Sequence, residues 1–171
     1  MDQKILIAYA TKYGATAEIA KKIGEVLSQA GLQTDVLPAK RVNDLNSYKA
    51  VILGSAVYMG FWRKEAVQFL KTHEQVLAKQ PVWLFSSGPS GQGDPEKLLN
   101  GWRFPPAQQP IADRIHPRDI VVFHGNLDIN KLNFFEKWIL NKVKAQAGDF
   151  RDWDAITAWA TSIANALLEA S

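Results

Sequence analysis

Five short apolar segments, each closed by a turn signal and separated by helical patterns, restrict this chain to one architecture. They are KILIAYA (Lys4–Ala10), TDVLPA (Thr34–Ala39), KAVILGSA (Lys49–Ala56), PVWLFSS (Pro81–Ser87) and DIVVFHG (Asp119–Gly125). Several are apolar throughout rather than alternating, the pattern of strands buried on both faces. Between them Ile19, Ala20, Ile23, Val26, Leu27 and Ala30 recur at helical spacing and stop at Gly31, and Ala66, Phe69, Leu70, His73 and Leu77 trace a second such face. Two further helices are expected over about 132–146 and 153–168. Alternating strands and helices mean parallel pairing, because each crossover must return the chain to the same end of the sheet. The expectation is a doubly wound α/β domain, with its ligand outside the carboxyl ends of the strands.

At 171 residues the chain is long enough for one buried core and too short for two ordinary domains, so 1–171 reads as a single domain. One segment breaks the rhythm: Gly88 to Arg118 is long and rich in glycine and proline, where connections usually run to about 2–6 residues. It reads either as an outer wall that selects the electron partner without holding the cofactor, or as a surface excursion with a short helix near PEKLLN.

Composition removes several classes of chemistry. With no cysteine there is no thiolate catalysis, disulfide or cysteine-held cluster, and His73, His116 and His124 have no metal-ligand spacing, so no metal is expected. The net charge of +3 comes without a basic block, which argues against nucleic acid as partner. No apolar run approaches a membrane span, and MDQKILIAYAT does not suit a signal peptide, so the default location is cytoplasmic.

Ligand classes can be sorted by their loops. A dinucleotide site needs GxGxxG after the first strand and an acid ending the second; neither is present. A triphosphate loop needs lysine and a hydroxyl where GPSGQGDP has Asp94 and Pro95. A phosphorylated receiver module needs carboxylates where this chain has Thr11, Gly54 and Ser55. The first strand instead runs into TKYGAT, Thr11 to Thr16, with three hydroxyls around Gly14 at the start of a helix. Each threonine alone reads equally as a cap or turn residue; the cluster suits a phosphate monoester, favoured there by backbone amides and the helix dipole.

TKYGAT resembles the phosphate-binding loop of the flavodoxin family, commonly Thr/Ser-x-Thr-Gly-x-Thr, with Tyr13 in place of a threonine. The resemblance implies a five-stranded parallel sheet of order 2-1-3-4-5 with helices on both faces, and FMN as cofactor. It implies phosphate contacts from Thr11, Lys12, Tyr13, Gly14, Ala15 and Thr16. A first flavin-ring loop falls in GSAVYMGFW, with Ala56, Val57, Tyr58, Met59 and Gly60, and Trp62 as a further aromatic for the slot. A second falls in SSGPSGQG, with Ser86, Ser87 and Gly88.

GSAVYMGFWRKEAVQFL and the later FHGNLDINKLNFFEKWILNKVKAQAG are similar to the flavodoxin-like menaquinone-dependent protoporphyrinogen dehydrogenases. That similarity implies a redox partner or quinone-type acceptor. An electron carrier and a flavin-free interaction module stay open as alternatives, the first disfavoured by a sequence pI near 9.1 in a role usually filled by acidic proteins. KLNFFEKWILNKVKAQAG puts Leu132, Phe135, Ile139 and Val143 on one helical face, with Phe134 and Trp138 off it beside Lys131, Lys137, Lys142 and Lys144. The favoured reading is a core-packing helix with solvated lysines; the other is a peripheral membrane contact. Catalytic residues and oligomeric state carry no signal in the sequence.

Overall fold

The computed structural model describes residues 3–88, 93–143 and 148–170. Residues 89–92 of the second ring-loop expectation, and 144–146 at the end of the lysine-rich helix, lie outside that set.

Strands β1 (Lys4–Ala10), β2 (Thr34–Pro38), β3 (Tyr48–Tyr58), β5 (Val82–Ser87) and β6 (Asp119–Phe123) form a parallel sheet in the order β2-β1-β3-β5-β6, and the two-residue β4 (Phe61–Trp62) pairs antiparallel with the end of β3. Counting only the parallel strands, this is the expected order 2-1-3-4-5. β3 runs two residues past its expected end because Val57 and Tyr58 pair with Trp62 and Phe61 across a two-residue turn, Met59–Gly60. Both turn residues have positive φ, 52° and 83°, the left-handed twist that matches a tight hairpin.

Side-chain alternation along the strands builds two apolar layers. Ile5, Ile7, Ile52, Trp83 and Phe85 face α1 (Ala15–Gln29) and α6 (Trp153–Glu169). Leu6, Ala8, Val51, Leu53 and Leu84 face α2 (Lys64–Leu77) and α4 (Gln109–Ile115). Each fully buried leucine, isoleucine or phenylalanine contributes roughly 1.5–3 kcal/mol by leaving water, so the sheet is the rigid floor on which its loops stand. The layers leave no room at Gly54: a Cβ there would lie 1.9 Å from Cζ of Phe85.

The long excursion proves to be part of this core in its second half. After the short α3 (Pro95–Leu98), Phe104, Ile111, Ala112 and Ile115 are buried in the α2 layer, and Phe104 meets Trp62 edge-on at 4.9 Å. The segment therefore supplies the crossover helix between β5 and β6. A replacement of its middle residues would open the core, so the expectation of an outer wall separable from the rest does not hold.

Beyond β6, β7 (Asn126–Leu127) and β8 (Gly148–Asp149) form a two-stranded antiparallel ribbon, and α5 (Phe134–Val143) leaves and returns through it as an arm. Phe134, Phe135 and Trp138 are exposed by 88%, 63% and 50%, so the core-packing expectation fails at Phe135. The described side chain that α5 does bury is the carboxylate of Glu136, 6% exposed.

Candidate functional site

At the carboxyl ends of β1, β3 and β5 the chain makes three loops around one cavity of about 120 Å³. The first loop is shaped by its own residues. Thr11 Oγ1 accepts from Gly14 N–H at 2.9 Å, and Gly14 sits at φ 96°, a left-handed conformation that glycine adopts without penalty, turning the chain into α1. Thr16 follows at 1% exposure and lines the cavity.

Ten of the fourteen residues expected at the site line this cavity: Thr11, Lys12, Tyr13, Ala15 and Thr16 from the first loop, Ala56, Val57 and Tyr58 from the second, Ser87 and Gly88 from the third. Four do not. Gly14 shapes the turn behind it. Met59 and Gly60 form the tip of the β3–β4 hairpin, with Met59 67% exposed. Ser86 is fully buried, where its hydroxyl accepts from Trp62 Nε1 at 2.8 Å and donates to Arg103 O at 2.9 Å. Trp62 is thereby turned into the core, and the bond from Ser86 ties the excursion to the end of β5.

The wall also contains Arg63, Gly125, Asn126, Leu127, Leu132 and Glu136, which sequence reasoning did not select. Gly125 to Leu127 come after the fifth strand, a position that the doubly wound pattern could have flagged. Arg63 had no signal. Its Nε is buried without a hydrogen bond and lies 3.7 Å from Glu65 Oε2, a loosely paired cation at the cavity edge.

Glu136 decides the electrostatics. Lys12 Nζ donates to its Oε2 at 2.5 Å, and the Tyr13 hydroxyl donates to Oε1. Burial pushes the Glu136 pKa up, but the bonds from Lys12, Tyr13 and the Asn133 amide outweigh it and hold the carboxyl below its ordinary range. The carboxylate in turn raises the Lys12 pKa. Burial and then the bond to Glu136 raise that of Tyr13, keeping its hydroxyl a donor. Lys12 also lies 4.7 Å over the Tyr58 ring, so one ammonium joins the first loop, the second loop and α5.

The flavodoxin domain pattern matches residues 6–154, most of the chain. The chain belongs to the flavodoxin domain family. Membership supports a flavin oxidoreductase or electron-transfer protein that uses FMN and a redox partner. The chain is 22% identical, over 95% of each protein, to the Escherichia coli (strain K12) protein named protoporphyrinogen IX dehydrogenase [quinone]. Its fold is similar to flavodoxin 2 of Bacillus cereus (19% identity, TM-score 0.58, 98% of this chain and 99% of that one). It is also similar to a Streptococcus pneumoniae flavodoxin (16%, 0.60, 94% and 97%). Rubredoxin oxygen:oxidoreductase of Desulfovibrio gigas aligns with 97% of this chain at TM-score 0.63 and 14% identity, but this chain spans only 36% of its length.

The donor set suits a flavin phosphate: a buried threonine at a helix N-terminus beside a lysine and a tyrosine hydroxyl. At about 120 Å³ the cavity is narrower than the usual ligand pocket of about 300–1,000 Å³, and Leu132 and Glu136 line it on the α5 side.

Proposed function

We propose that this chain, as one flavodoxin-like domain over 1–171 with its excursion at 88–118, is an FMN-dependent oxidoreductase that passes electrons to a quinone-type acceptor. The observation that carries the reading is the meeting of Thr11, Lys12 and Thr16 with Tyr58, Ser87 and Gly88 around one cavity at the strand ends. Bound FMN would supply one- and two-electron transfer chemistry. The Thr16 hydroxyl and the amides at the start of α1 bind its phosphate, where the helix dipole favours negative charge. Tyr58, Ser87 and Gly88 would bound the end of the cleft that takes the ring. Arg63, a half-buried cation in the same wall, favours the more negative, reduced state of a group placed beside it.

Two features support a quinone as acceptor. The Escherichia coli relative carries a quinone in its printed name and matches 95% of this chain. Phe134, Phe135 and Trp138 are exposed on the helix that carries Glu136, with Lys131 and Lys137 near them in the chain, an amphipathic face suited to a cytoplasmic membrane surface where quinones reside. No described helix is long and apolar enough to cross a membrane. An electron carrier is the second reading, favoured by the flavodoxins among the similar structures.

Titrating the purified chain with FMN, FAD and riboflavin tests the cofactor through quenching of flavin fluorescence. FMN should bind much more tightly than the other two. Equal affinity for all three would remove the phosphate assignment, and no quenching at all would leave an interaction module. Reoxidation of the reduced protein by a soluble quinone, compared with a one-electron protein acceptor, separates the enzyme from the carrier.

A further inference from the structure

The contact between α5 and the first loop is an ionic one, made on two side-chain donors of that loop. Glu136 is 6% exposed, and both of its carboxylate oxygens are held by residues 123 and 124 positions away, Tyr13 and Lys12. A third link runs from Lys131 Nζ to the Tyr13 carbonyl at 3.4 Å. Phe134, Phe135 and Trp138 on the same arm face solvent. At its base the arm meets the β7–β8 ribbon, where Phe150 N–H bonds Gly125 O at 3.1 Å.

We propose that Glu136 is a built-in anion that latches α5 over the phosphate loop, and that a phosphate monoester dianion replaces it on Lys12 and Tyr13, releasing the arm and opening the cleft. This rests on the reading of the site as a flavin phosphate site. Three observations converge on it. The carboxylate sits on the two side-chain donors that project from the TKYGAT loop beyond its threonines. The cavity is narrow, about 120 Å³, and Glu136 and Leu132 are part of its wall. Thr16 is buried and lines the same cavity, and the Glu136 carboxylate is held by Lys12 and Tyr13, so the loop has a second hydroxyl to offer an anion there. A carboxylate with one negative charge holds this position until a dianion with three acceptor oxygens arrives. Because opening must precede entry of any flavin, the latch lowers every flavin's apparent affinity by the fraction of open molecules.

Glu136→Gln is the discriminating variant. Asn133 and Glu136 cap α5 reciprocally: Glu136 N–H donates to Asn133 Oδ1 at 2.7 Å and Asn133 N–H to Glu136 Oε1 at 3.3 Å. Glutamine preserves that pairing while removing the charge. Hydrogen exchange of the α5 amides in the full chain is the first readout. In the unaltered protein, millimolar inorganic phosphate should speed exchange across 134–143. In Glu136→Gln those amides should exchange fast without phosphate and respond little to it. The second readout is flavin affinity, which should rise by about tenfold or more in the variant, the worth of a charge-assisted hydrogen bond, and by the same factor for FMN and riboflavin.

Slow α5 exchange in the variant, or unchanged α5 exchange with phosphate together with unaltered flavin affinity, overturns the latch and leaves FMN binding standing. If neither protein binds flavin while phosphate still releases α5, the flavin reading fails and the latch stands. A rise for FMN alone overturns the lid, since Glu136 would then compete with the phosphate without closing the cleft.

Discussion

Helices α2 and α5 both reach the cavity, α2 through Arg63 at its N-terminal cap and α5 through Glu136, yet they are held in opposite ways. α2 buries Ala66, Phe69, Leu70 and Leu77 against the sheet, while α5 turns Phe134, Phe135 and Trp138 outward and buries a carboxylate. Apolar burial is non-directional and dense, so α2 is a fixed part of the floor. An ion pair is directional and exchangeable for another anion. The difference separates a wall that positions a cofactor from one that can admit it.

The largest expected effect lies on the α2 side. Leu70→Ala, at a position with no exposure, should cost about 2–5 kcal/mol of global stability by transfer and cavity terms, whereas Phe135→Ala should change it by about 0.5 kcal/mol or less. Urea denaturation measures both, and similar losses would erase the contrast between the two helices.

Next comes the phosphate loop itself, which the latch leaves on the rigid side. Thr16→Val keeps shape and burial but removes a hydroxyl donor, so FMN affinity should fall by about one to two powers of ten. Riboflavin affinity should stay constant; an equal fall for both would mean that the loop had been distorted.

The smallest effect is a pH dependence confined to the arm. Glu136 has a depressed pKa in the folded chain, so its contribution is present above the ordinary carboxylate value of 4.5 and is lost as pH falls through the lower folded value. Lys12 has a raised pKa, so its half of the pair is present below 10.5 and is lost only as pH climbs through the higher folded value. Protection of the α5 amides, corrected for intrinsic exchange, should therefore be flat between about 5 and 10 and decline on the acid side. In Glu136→Gln the acid-side decline should vanish. An identical decline in both proteins would place the titrating group elsewhere.

The parallel sheet, the two helices α1 and α2, and the turn Thr11 to Thr16 were legible in the sequence because each is written in contiguous residues. Apolar runs, a 3.6-residue spacing, and hydroxyls around one glycine all report local geometry. The excursion was half legible: its short helix at Pro95–Leu98 arises from Asp94 capping, since Asp94 Oδ1 accepts from Glu96 N–H at 3.0 Å, but the burial of Phe104 and Ile111 depended on α2 lying beneath them. Trp62 and Ser86 were read as cleft residues and instead bond each other in the interior, because the β3–β4 hairpin turns the indole inward.

The sequence by itself determined the order of strands and helices and a loop able to hold a phosphate, since these depend on neighbours in the chain. Only the tertiary structure decided what closes that loop. Glu136 lies 124 residues from Lys12 and reads in sequence as one more charge on a lysine-rich helix. The β7–β8 ribbon brings that helix back to the loop before α1, and burial beside an ammonium and a phenol turns what reads as an ordinary surface residue into an anion held on Lys12 and Tyr13.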